Sequence, residues 1–316
     1  YEPSFAYHGF RYVQFWSLGD VEVVDIQAQF VYTDFAESGS FSSSCAVLNT
    51  LQKHTLQSYK SNYTGIPTDC PHREKNGWTG DAACAAEAGI WNFNMEKAYG
   101  HFLQILVDTQ RPNGQLPGIA PTGSWGYNWG SGPAWDTLLF EYPYQIYRFY
   151  GKMELIEKYY DNFKLYLEYC DSRSEDYLLN FGLGDWCPPL GNIHERRVPI
   201  PESSTAMFYE TACLMDELSK ELGLPTALDY ADLAARIKEA FNRHFWIPEL
   251  HRYSTWGTCG VALKTGLYPD GEHDALVKAL TELMAADDYA MSTGIYGNKY
   301  LVPALSEEGY GDLAMK

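Results

Sequence analysis

No run in this 316-residue sequence approaches the roughly twenty uninterrupted apolar residues that a membrane-crossing helix needs. Basic residues are scarce. The 23 Lys and Arg stand against 41 Asp and Glu, a formal net charge of −18, which argues against a surface built to displace counterions from nucleic acid. There is no CxxC pair, and the seven cysteines, Cys45, Cys70, Cys84, Cys170, Cys187, Cys213 and Cys259, are odd in number and scattered. A disulfide framework and a zinc site are therefore not expected, and buried free thiols are. A GxSxG elbow and a P-loop are missing, and the glycines do not form a dinucleotide fingerprint in a βαβ setting. No fixed period recurs, which disfavours a helical-repeat solenoid. Neither an initiator Met nor a secretory leader opens the chain at Tyr1, and a new apolar pattern has just begun when Lys316 is reached. Both ends are expected to be cuts in a longer sequence, and localisation is unread.

What remains is a soluble globular class with a substantial core, since 46% of residues are hydrophobic. The surplus lies in aromatics, 25 Tyr, 15 Phe and 9 Trp, several of them beside Gly and Asp rather than at core spacing. Such surfaces suit sugars, whose C–H faces stack on rings while carboxylates take the hydroxyls.

Residues 9–32 alternate and favour β structure, predicting two or three strands, too few for a stable sheet and so the tail of a preceding β-domain. From residue 42 the period turns helical. Helices are predicted over 42–60, 79–91, 95–109, 134–150 (with Pro143 kinking or splitting it), 154–171, 205–222, 227–245, 258–267, 272–285 and 300–307, with another starting near Gly311. About eleven helices joined by alternating short and long connections fit either a solenoid or a toroid of six hairpins, and twelve would complete the toroid. The long Gly- and aromatic-rich connections at 65–78, 114–133 and 178–204 would gather at one end, where function tends to sit.

The densest constellation runs from Gly65 to Asp81. Asp69, Glu74 and Asp81, with Arg73, Lys75, His72 and Trp78, fall among two prolines and several glycines. A charged surface loop is the bland reading. The chemical one is that Glu74, crowded by Asp69 and Asp81, keeps its proton and serves as a general acid, while Arg73 holds a carboxylate ionised or binds a hydroxyl. Asp81 serves equally well as a first-turn acid or cap of the next helix, and Trp78 as core or as a sugar platform. A second cluster, Trp125 to Asp136, spaces aromatics with glycines in a pattern no core stripe follows, so it reads as a binding wall, with Asp136 as wall or helix cap. A third, Gly182 to Pro189, again sets an acid, Asp185, beside a Trp, Trp186. Cys70 and His72, two apart on a turn, are poorly placed for a thiol–imidazole pair or a half metal site.

The string PTDCPHREKNGWTGDA closely resembles the signature of the bacterial α-L-rhamnosidases of glycoside hydrolase family 78, inverting enzymes with an (α/α)6-barrel catalytic domain. GPAWDTLLFEYPYQIYRFYG, GLGDWCPP and STGIYGNKYLVPALSEEGYGDLAMK are similar to further segments of that family, and HGFRYVQF to the strand leading out of its β-sandwich domain. The resemblance implies a mainly α fold, an (α/α)6 barrel (six-hairpin toroid) over residues 36–316 that is incomplete at its C-terminus, after the end of a β-sandwich domain over 1–35. It implies Glu74 as general acid and Asp69, Arg73, Trp78, Asp81, Trp135, Asp136, Asp185 and Trp186 as substrate-binding residues. Many members carry an extra acidic residue between the Arg and the catalytic Glu, whereas here Arg73 is followed directly by Glu74. The family's general base, a Glu in a Gly/Thr/Trp-rich stretch, is expected beyond residue 316. The partner implied is a rhamnoside, with no cofactor, metal, nucleic acid or membrane. Two alternatives stay open: a non-catalytic carbohydrate-binding toroid, and an (α/α)6 glycosidase acting on a different sugar.

Overall fold

The computed structural model describes residues 2–128, 132–189, 197–226 and 228–316. Its helices are α1 (Ala46–Ser61), α2 (Thr79–Asn92), α3 (Glu96–Asp108), α4 (Pro133–Asp136), α5 (Leu138–Tyr150), α6 (Glu154–Arg173), α7 (Ile200–Leu222), α8 (Tyr230–Phe245), α9 (Trp256–Thr265), α10 (His273–Ala286), α11 (Ile295–Glu307) and α12 (Gly311–Ala314). The helices follow the 3.6-residue apolar period, and two of them start on a side-chain cap. Asp229 accepts from the Asp232 amide at 3.0 Å to start α8, and Thr255 accepts from the Thr258 amide at 3.1 Å to start α9. Gly151, left-handed at φ 66°, stops α5 where a side chain would be strained.

Several boundaries differ from expectation: α1 begins at Ala46 rather than 42 and α11 at Ile295 rather than 300, and two further differences have a local cause. The 134–150 segment breaks at Thr137 rather than at Pro143. The Phe140 amide bonds the Thr137 carbonyl at 2.9 Å in a tightened turn, and α5 restarts with Pro143 inside it. Helix α7 begins at Ile200, earlier than the predicted 205, because Pro201 stands in its first turn, where a missing N–H leaves no intrahelical bond unmade.

The predicted N-terminal β segment is not present. Residues 9–32 make no ladder, and Val21, Val23, Val24, Ile26 and Val31 are all exposed. Alternation gives a segment two faces, but a strand exists only through a neighbour that takes its amides and carbonyls, and no such neighbour occurs among the described residues. The chain is anchored more firmly further on, where the Thr33 amide bonds the Tyr63 carbonyl at 2.8 Å and Phe35 is buried against Tyr59, Tyr63 and Phe93. A minimal hairpin, β1 (Tyr63–Thr64) and β2 (Ile66–Pro67), turns on Gly65 at φ 81°.

Helix α2 packs on α4 and α5, α4 on α7, α7 on α9, α9 on α11, and α11 returns to α2. Helices α3, α6, α8 and α10 pack against members of this series. Two apolar clusters fill the interior. One surrounds α2, α3, α5 and α6 with Tyr99, Phe102, Tyr142 and Phe163, and the other surrounds α9, α10 and α11 with Trp256, Leu280 and Leu301. Between the facing helices Lys299 of α11 joins the Glu141 carboxylate of α5 at 3.1 Å and the Ala83 carbonyl of α2 at 3.2 Å. The N-terminal ends of α2 and α4, with the loops before them and before α7, open onto one cavity.

Candidate active site

The cavity has a volume of about 740 Å³ and is lined by Asp69, Glu74, Asn76, Trp78, Asp81, Trp135, Leu183 and Trp186. Three separate chain segments supply these groups. Trp78 is the N-cap of α2 and Asp81 lies in its first turn, so the acid faces amides that no helical carbonyl satisfies. Residues 71–74 form a turn in which the Glu74 amide donates to Cys70 Sγ at 3.1 Å, and Lys75, left-handed at φ 55°, reverses the chain. Asp69 steadies the loop's return, its Oδ1 accepting from the Asn76 amide at 3.0 Å while its own amide donates to the Asn76 carbonyl at 3.1 Å. The N-terminal segment braces the same loop from outside. Lys75 Nζ donates to the Tyr7 carbonyl at 2.5 Å and lies 4.4 Å from the Tyr7 ring centroid.

Trp78 Nε1 donates to Glu74 Oε2 at 3.0 Å, which fixes the carboxyl at the rim. The Trp78 ring meets Trp135 edge-on, centroids 5.3 Å apart and planes at 69°. Trp135 is 5% exposed, and its Nε1 donates to the Gly184 carbonyl at 2.8 Å. Its indole fits because residue 80 has no side chain: a Cβ there would stand 2.4 Å from the ring. Trp186, 55% exposed, also lines the cavity.

Asp81, expected only as a first-turn acid, cap or substrate ligand, is the carboxyl that its surroundings crowd. Burial, seconded by the negative charges of Asp69 and Glu74, pushes its pKa up from the usual carboxylate value to about 6, against a lowering from its backbone hydrogen bond. The site therefore holds a group that changes charge near neutral pH.

The predicted site residues divide. Asp69, Glu74, Trp78, Asp81, Trp135 and Trp186 come together around the cavity, and Arg73 is exposed beside Glu74 without lining it. Asp136 lies beneath, buried, accepting from Tyr166 Oη at 2.9 Å. Asp185 is fully buried, and its carboxylate takes backbone amides from Val198 and from the start of α11. Trp129, Gly130, Ser131 and the Trp125 side chain, all of the second cluster, lie outside the described residues. Asn76 and Leu183, not singled out from sequence, complete the lining. Both sit inside the strings that drew attention, but an amide and an aliphatic chain carry no chemical flag there. Among the described residues no group of three or more His, Cys, Asp or Glu is placed to hold a metal ion.

With the geometry in hand, comparison with known proteins is specific. Residues 36–316 match the model of the bacterial alpha-L-rhamnosidase 6 hairpin glycosidase domain. An alpha-L-rhamnosidase of Formosa agariphila is 31% identical over 341 aligned residues, covering 100% of this chain and 35% of the relative. The alpha-L-rhamnosidase structure from Dictyoglumus thermophilum superposes with a TM-score of 0.84 at 30% identity, over 90% of this chain and 33% of that one. The Streptomyces avermitilis alpha-L-rhamnosidase complexed with L-rhamnose gives 0.81 at 26% identity, over 90% and 27%. The chain thus spans about a third of the length of the curated relatives it matches.

Proposed function

The chain belongs to the bacterial α-L-rhamnosidase six-hairpin glycosidase family, and from that membership we propose that its cavity hydrolyses terminal non-reducing α-L-rhamnose from rhamnosides. On this proposal the helices are those of an (α/α)6 barrel occupying residues 36–316, with residues 1–35 leading in from a neighbouring domain. The observation that carries the chemistry is the joining of three carboxylates and three tryptophans from separate segments around one cavity of about 740 Å³.

Glu74 is assigned as the general acid. It gives its proton to the glycosidic oxygen as the bond to the anomeric carbon breaks, and the indole N–H of Trp78 orients it for that transfer. A second carboxylate, ~6.5–9.5 Å away, takes a proton from water attacking the opposite face, so the configuration inverts. That base is assigned to a Glu outside residues 1–316. Asp69 and Asp81 stabilise the oxocarbenium-like transition state by their negative charge, Asp81 fully so only above its pKa of about 6. Trp78, Trp135 and Trp186 pack the apolar edge and 6-deoxy methyl of the sugar. Arg73 is assigned to a substrate hydroxyl at the rim, and Asp136 supports Trp135 from below.

The test is release of 4-nitrophenol from its α-L-rhamnoside by the full-length protein, beside a panel of other aryl glycosides. Preference for the rhamnoside is expected, with inverted product. Unimpaired turnover after Glu74→Gln removes the acid assignment. Saccharide binding without turnover favours a non-catalytic role, and preference for another glycoside a different sugar.

A further inference from the structure

Asp185 sits beside Trp186 on the cavity's rim segment, and the neighbourhood invites a role as sugar ligand. Its surroundings leave no room for that. The residue is 0% exposed, and its two oxygens accept four backbone amides: Val198 at 3.1 Å, Gly294 at 2.8 Å, Tyr296 at 3.0 Å and Gly297 at 3.1 Å. Three of these belong to the N-terminus of α11, whose own N-cap, Gly294, has no side chain to offer. A carboxylate more than a hundred residues earlier in the chain thus caps the helix, where unpaired amides and the helix dipole both favour negative charge.

The residues on either side carry the cavity walls. The next carbonyl, that of Trp186, accepts from the Ile295 amide at 2.8 Å, so the Trp186 backbone is bonded to the same helix end. The preceding carbonyl, that of Gly184, accepts the indole N–H of Trp135. The fit is tight: a Cβ at Gly294 would stand 2.2 Å from the Trp186 carbonyl oxygen and 2.4 Å from Asp185 Oδ1. One segment therefore holds two of the three cavity tryptophans, and its own hold is the Asp185–α11 bond set.

We propose that Asp185 is a positioning residue, a long-range helix cap that locks residues 184–186 to α11 and so sets Trp186 and Trp135 at the separation the sugar requires. The sugar itself rests on the function proposed above, whereas the lock does not, and the experiment reads the two separately. In the full-length protein, Asp185→Asn, which turns one acceptor into a donor facing amide donors, is compared with Trp186→Ala and with the double variant. The readouts are L-rhamnose affinity from indole fluorescence, KM and kcat, and amide hydrogen exchange at Val198, Gly294, Tyr296 and Gly297. Asp185→Asn is expected to raise the L-rhamnose Kd and KM about tenfold with kcat within about threefold, and to accelerate exchange at those four amides. Residues that act through one segment are not additive, so the double variant is expected to bind worse than Trp186→Ala, because Trp135 is released too, but by clearly less than the product of the two single effects. Multiplying effects, or unchanged exchange, would overturn the proposal. Gly294→Ala is the second variant, since it pries at the same two anchors without changing a charge. The same direction of change is expected in it, and wild-type behaviour would count against the lock even if Asp185→Asn failed to fold. A wild-type protein that bound no L-rhamnose would sink the functional reading, and exchange and acrylamide quenching of Trp186 would still decide the lock.

Discussion

Two loops at the mouth of this molecule each place acids beside tryptophan, and they use negative charge in opposite ways. In residues 182–187, Asp185 is sealed from solvent with four amides on two oxygens. In residues 69–81, Glu74 is exposed and takes one indole N–H, while Asp69 and Asp81 face the same cavity. A carboxylate whose lone pairs are filled by backbone is a structural anion. One with few donors beside others of like charge is the kind the proposed reaction would draw on. The number and kind of donors around an acid, more than its neighbours in the chain, separate the two uses.

That contrast can be broken or sharpened in order of effect. Glu74→Gln should cost the largest factor, roughly 10²- to 10⁴-fold in kcat/KM. The loss should be greater on an alkyl rhamnoside than on the 4-nitrophenyl one, whose leaving group needs less protonation. The melting temperature should stay near wild type, because the side chain is exposed. Asp185→Ala should do the reverse to the fold. Leaving four amides short of their acceptor should cost on the order of 3 kcal/mol or more, read as a lowered denaturant midpoint.

Asp81 supplies the pH test. Its folded pKa of about 6 lies above the ordinary aspartate value of 3.8, so between those pH values the folded state binds more proton than the unfolded one. Stability from this group consequently falls as pH rises through that window, and the penalty is complete above pH about 6. Asp81→Asn should stabilise the protein at pH 8, by at most roughly 3 kcal/mol, and have little effect near pH 4. Equal shifts at both pH values would contradict the raised carboxyl. The smallest effect is expected at Gly80→Ala. A methyl 2.4 Å from the Trp135 ring must displace it, for about 1–3 kcal/mol of stability and a raised KM with kcat little changed.

Helix existence was legible in the sequence because amphipathic periods are local, although the caps at Asp229 and Thr255, which set the starts of α8 and α9 away from the expected 227 and 258, came from the structure. The grouping of Asp69, Glu74, Trp78 and Asp81 was legible for a similar reason: a short loop between prolines and a helix start cannot carry them far apart. Asp185 was not, since three of its four amide partners lie 109 or more residues later, from Gly294 onward, and no pattern around it announces them. Residues 9–32 failed in the other direction. Their alternation is real, but pairing depends on what lies alongside, which periodicity does not encode. Asn76 and Leu183 entered the site through geometry alone.

The contact between Lys75 and Tyr7 bears on where this functional unit begins. Kinship draws the domain's edge at residue 36. Mechanics draws it earlier, for the loop carrying Glu74 leans on a residue 29 positions upstream of that edge, and a Cβ at Gly9 would collide with His72 at 2.6 Å. A protein trimmed to begin at residue 36 would keep every residue assigned to the reaction and lose the outer brace of the acid among them.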